Sequence, residues 1–145
     1  MTLYKLVDGE RKELTPEEEQ AYNDAQPTAN ELLDMAKIAR CEYIEERRKQ
    51  FQYSPILFEG NEYEATFIAQ SKYFTFLLIN TTGDINWRLT DGVTWVTLTQ
   101  TQANNLKDAI INREVQAYQH ESQKSLEIKA VTTNIEDVNL IDWEL

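Results

Sequence analysis

Apolar positions recur at three- and four-residue spacing in two long stretches of the chain and alternate in several short ones. Those two periods predict its elements. Residues 30–52 carry Leu32, Leu33, Ala36, Ile38, Ala39 and Tyr43 at helical spacing. From Gln100 onward, Ala103, Leu106, Ile110, Ala117 and Tyr118 trace a second helix face, which Ile128 and Val131 continue after a polar stretch. Short strands are predicted at 3–7, followed by a turn at "DGE" (8–10), on either side of a Gly60-Asn61 turn in "ILFEGNEYEA", and at 85–90 and 94–98 around Asp91-Gly92. The segment "TFIAQSKYFTFLLIN" has Ile68, Tyr73, Phe76 and Leu77 at helical offsets, although its Phe, Thr and Ile content also suits a strand. It is assigned as a helix, closed by the turn "TTGD".

Cap signals bound these elements. Thr15 precedes Pro16 and the acidic run Glu17–Glu19. That order places an N-cap, a first-turn proline and carboxylates on the positive helix end, with Glu18 completing a capping box. Pro27 stops this helix and Pro55 the next. Thr99 is the expected N-cap of the long C-terminal helix. Thr132-Thr133 interrupt it before a short amphipathic tail carrying Trp143. The tail of the second helix, "EERRKQ", is charged all round, with Glu45 and Lys49 four apart. A narrow stripe on so polar a helix suits an extended or self-associating arm, with Leu32, Ala36, Ala39 and Tyr43 as the association face. The expectation is an α+β protein. Residues 1–53 form a leader strand and helical arm, and 56–145 a small domain of hairpins packed on a long C-terminal helix.

Charge and composition narrow the function. The 145-residue chain has a formal net charge of −11, which repels phosphate backbones and anionic lipid, so neither nucleic acid nor membrane is an expected partner. Its longest apolar run, "YFTFLLI", is far short of the roughly 20 residues that cross a bilayer. The opening "MTLYKLVDGERKELT" lacks the apolar segment of a secretory leader. One cysteine, Cys41, excludes an internal disulfide and suits a reducing cytoplasm.

Candidate chemistry is sparse. His120 is the only histidine and has no ligand spacing around it; a solvated surface position is expected. Cys41 has no His partner and is expected to be partly buried. Glu59, Glu62 and Glu64 alternate as solvent-facing strand positions do. There is no Gly-rich nucleotide loop or Ca2+ loop in the sequence. No catalytic residue, metal site or cofactor is therefore expected. The hairpin "INWRLTDGVTWVTL" is the exception: Trp87, Asp91, Gly92 and Trp95 form either a core roof or a binding face, depending on loop length. The core role is favoured, because a domain of this size needs large anchors.

The stretch "NWRLTDGVTWVTLTQTQANNLKDAIINREVQAYQHE" resembles a domain of unknown function found in tailed bacteriophages and prophages, usually encoded near tail-fibre and tail-tip genes. Trp87, Asp91, Gly92, Trp95, Val96, Leu98, Gln116, Ala117, Tyr118 and Glu121 carry the resemblance, and the opening "YKLVDGERKELTPEEE" resembles the leader of such proteins. "FEGNEYEA" lacks the usual Thr-Asp pair after its turn. The resemblance implies a non-enzymatic structural or adaptor component of the tail, associated with baseplate or fibre. Such a protein is made in the host cytoplasm, present in several copies or as a homo-oligomer, and bound to other tail proteins. The alternatives are a tail-fibre assembly chaperone absent from the virion, and a host-glycan-binding module using Trp87, Trp95 and Trp143.

Overall fold

A computed structural model describes residues 3–80 and 82–145. Thr81 of the expected turn at 81–84 lies outside them. The chain opens with a hairpin, β1 (Tyr4–Val7) and β2 (Glu10–Glu13). The sequence pattern missed β2, because "ERKE" has no apolar alternation to signal a strand. The signal lay in the turn. Asp8 and Gly9 both take positive φ, 52° and 81°, the conformation that joins two-residue hairpins. Helix α1 (Pro16–Asp24) follows, with Thr15 and Glu18 forming the expected capping box and no residue of the helix buried. Lys5 of β1 pairs with Glu18 of α1.

Helix α2 (Ala29–Gln52) starts at a second capping box, Thr28 with Glu31. It runs along α4 (Gln100–Ala130) and against α5 (Ile135–Leu140). Between them lie hairpin β3 (Ile56–Phe58)–β4 (Asn61–Tyr63), helix α3 (Phe67–Ile79) and hairpin β5 (Ile85–Arg88)–β6 (Trp95–Leu98). The first of these hairpins turns on Glu59-Gly60, both at positive φ, one residue before the expected Gly-Asn pair. Every hairpin is antiparallel. Glu64 donates its N–H to the Arg88 carbonyl, and Thr90 to that of Glu62, each at 3.1 Å. These bonds tie the end of β4 to the end of β5. The architecture is α+β, with the second and third hairpins set against a long C-terminal helix.

Helix α4 is the spine of two apolar cores. Its first half contributes Ala103, Leu106 and Ile110 to a cluster with Tyr63, Tyr73, Leu77, Ile85, Trp87 and Leu98. Its second half contributes Ile128 to a cluster with Leu33, Ile44 and Val138. Tyr118, expected on the same face, instead points outward and is 48% exposed. Between the two cores the α2–α4 contact is polar. Arg48, from the tail expected to be charged all round, and Gln52, just beyond it, are buried. Arg48 Nε donates to Glu121 at 2.9 Å, and Gln52 Nε2 to Glu114 at 2.6 Å. The second helix therefore buries more than its narrow stripe suggested, because paired polar groups can be buried where lone ones cannot.

Candidate functional site

The register of β5 and β6 answers which way the tryptophans face. Trp87 lies opposite Val96, and Arg88 opposite Trp95. Neighbouring residues on a strand point to opposite faces, so the two indoles are on opposite sides of the hairpin. Asp91 shapes the turn: its Oδ1 accepts from the N–H groups of Val93 and Thr94 at 2.9 and 2.8 Å, and its Oδ2 from the Thr94 hydroxyl. The Thr94 hydroxyl, then these backbone bonds, hold the Asp91 carboxyl below its usual range. Gly92 follows at φ 75°, a conformation that a side chain would disfavour.

Trp87 is fully buried. It stacks on Tyr73 with ring centroids 4.0 Å apart, and its Nε1–H donates to the Glu64 carbonyl at 3.1 Å. The Tyr73 hydroxyl accepts from the Arg88 N–H at 3.0 Å, and burial pushes its phenol up. Trp95, by contrast, is 57% exposed. It stands with Phe76 between two open clefts of about 450 and 540 Å3. One cleft is lined by Ile68, Lys72, Tyr73 and the Arg88–Glu64 ion pair; the other by Ile79, Asn80, Asp84 and Asn86. Around them α3 leaves Phe67, Ile68, Phe76, Leu78 and Ile79 on the surface. Helix α3 thus leaves apolar side chains uncovered besides Ala69, Tyr73 and Leu77, which it buries.

The four residues expected to form an association face on α2 divide. Ala36 packs into the second core, and the Tyr43 hydroxyl donates to Asp142 Oδ1 at 2.8 Å. Leu32, Ala39 and the rest of Tyr43 remain exposed. His120 is not the solvated surface histidine that was expected. It sits edge-on to Trp143 at 4.6 Å, with Nε2 buried and unpartnered. Trp143 also packs near Phe51, at 6.2 Å, so of the three tryptophans only Trp95 offers an open ring. Arg113 was not singled out from the sequence. Its guanidinium donates to the carbonyls of Gln52 and Pro55 and to Ser54 Oγ, at 3.0, 2.9 and 3.2 Å, closing the C-terminal end of α2. Burial pushes the Arg113 pKa down.

Among the described residues, no group of three or more His, Cys, Asp or Glu side chains is placed to hold a metal ion. No helix among them is long and apolar enough to cross a membrane. The arrangement defines an α+β protein with an exposed apolar surface beside an aromatic hairpin. Residues 35–143 match the family described as "Domain of unknown function (DUF4376)", and the chain belongs to that family. The match takes in the first core and all of the second but Leu33, and leaves out β1, β2, α1 and the start of α2. No curated protein and no solved structure matches the chain.

Proposed function

We propose that the chain is a non-enzymatic structural or adaptor component of a bacteriophage tail, docked on another tail protein through the face of α3 and β6. The observation that carries this reading is the uncovered apolar surface of Ile68, Phe76, Ile79 and Trp95. Ile79 is 77% and Ile68 64% exposed. A surface of clustered aliphatic and aromatic side chains with one tryptophan at its centre has the composition of a protein contact. The tail setting rests on the resemblance of the stretch from Trp87 to Glu121 to domains encoded beside tail-fibre genes. In that setting the protein is made in the host cytoplasm and resides in the virion tail, in several copies, at the baseplate or a fibre.

A fibre-assembly chaperone would use the same face transiently; presence in the finished particle separates the two. The glycan-binding alternative is weakened by the burial of Trp87 and the packing of Trp143, which leave Trp95 alone as a stacking ring. Phage carrying Phe76→Ser with Trp95→Ser tests the docking face. Both side chains are half or more exposed, so the purified variant is expected to keep its unfolding midpoint while the yield of infectious particles falls at least tenfold. A normal yield from a stably folded variant would contradict the reading.

A further inference from the structure

Helix α4 carries a second uncovered stripe, and its charge pattern is unlike that of the rest of the chain. Between residues 109 and 126 every exposed residue of α4 is uncharged: Ile111, Val115, Tyr118 and Leu126, and otherwise only Asn, Gln and Ser. Arg113, Glu114, Glu121 and Lys124 lie in the same segment, but all are half-buried. Arg113, Glu114 and Glu121 are engaged with α2 and the chain after it. In a chain of net charge −11, a neutral strip some four turns long is where another strongly acidic surface can approach without repulsion.

We propose that this strip pairs with the same strip of a second copy, antiparallel, about a twofold axis between Tyr118 and Gln119. A twofold contact sets one surface against itself, so it must be neutral or self-complementary. The strip is both. Ile111, Val115, Tyr118 and Leu126 recur at steps of four, three and eight, along one helix face. With the axis at that point, Ile111 meets the partner's Leu126 and Val115 meets the partner's Ser122. Asp108 then meets the partner's Lys129. Both of these charges are exposed. Asp108 has a 3.5 Å contact with the adjacent Lys107, and among the described residues Lys129 forms no ion pair. The Tyr118 ring is already held: the Arg48 guanidinium lies over it at 4.4 Å, so little freedom is lost when the ring is covered.

Sedimentation equilibrium of the full chain over a wide concentration range tests the pairing. The account predicts a reversible dimer of the 16.9 kDa chain that Val115→Glu with Leu126→Glu converts to the single-chain mass. Asp108→Lys is expected to weaken association by about tenfold, the effect of turning two surface ion pairs into two like-charge pairs. Adding Lys129→Asp should restore it. All four positions are exposed, and equal unfolding midpoints at low concentration show that the variants fold. A single-chain mass at every concentration overturns the proposal. So does a dimer that survives Val115→Glu with Leu126→Glu, or a charge swap that fails to rescue Asp108→Lys.

Discussion

Trp87 and Trp95 belong to one hairpin and do opposite work. The buried ring of Trp87 stacks on Tyr73, and its N–H satisfies a main-chain carbonyl; the ring of Trp95 stands in solvent. Trp87→Ala should therefore cost about 3–5 kcal/mol, the range for removing a large core aromatic, and would also leave the Glu64 carbonyl without its indole donor. Trp95→Ala should stay within about 0.5 kcal/mol, as surface changes do. Urea unfolding of the two variants measures both; comparable losses would refute the assignment of faces. Neither tryptophan's orientation was legible from the sequence, because facing depends on register. Register here depends on how Asp91 folds six residues into the turn. His120 was hidden for another reason. Its neighbours on the helix are polar, but the residue that covers it, Trp143, comes from the far end of the chain.

Elements were more legible than faces. Threonines at 15 and 99 announced their helices, and Thr28 and Thr66 cap α2 and α3 in the same way. The spacing of Ala103, Leu106 and Ile110 located the buried side of α4. The strand β2 was missed because its charged residues gave no alternation, although the Asp-Gly turn before it did give a hairpin signal. The burial of Arg48, and of Gln52 just beyond the charged tail, was missed because such polar residues look solvated until their partners, Glu121 and Glu114, are known to lie opposite. Since α4 serves both cores, its N-cap affects more than one hairpin. Thr99→Ala removes the bond to the Gln102 N–H at 3.3 Å and should cost about 1 kcal/mol. The check is a lower unfolding midpoint together with faster amide exchange in the first turn of α4. Unchanged exchange there would show that Thr99 does not hold the helix start.

The whole molecule is acidic, and several of its carboxylates are held ionised by local bonds. Lys5 lowers Glu18, the Thr28 backbone N–H lowers Glu31, Lys49 lowers Glu45, and the Tyr43 hydroxyl lowers Asp142. A carboxyl group whose folded value is depressed binds protons more readily unfolded. Its contribution is thus complete above the unfolded value and is lost as pH falls through the folded one, here below about 4. Titrating the excess negative charge relieves self-repulsion and acts the other way. Comparison with Asp142→Asn separates the two: the variant should lose less stability than the parent between pH 7 and about 3. Parallel curves would mean that the Tyr43–Asp142 bond does not anchor the C-terminal segment to α2.

On the proposed function, a two-core helical spine, an acidic surface and an apolar face on α3 and β6 together make an adaptor docked in a phage tail. Quantitative mass spectrometry of purified phage particles tests that most directly. The account predicts peptides of this chain in fixed proportion to the major tail proteins. Their absence from particles, with the protein abundant in the infected cells that made them, would contradict it and favour a chaperone that leaves before assembly is complete.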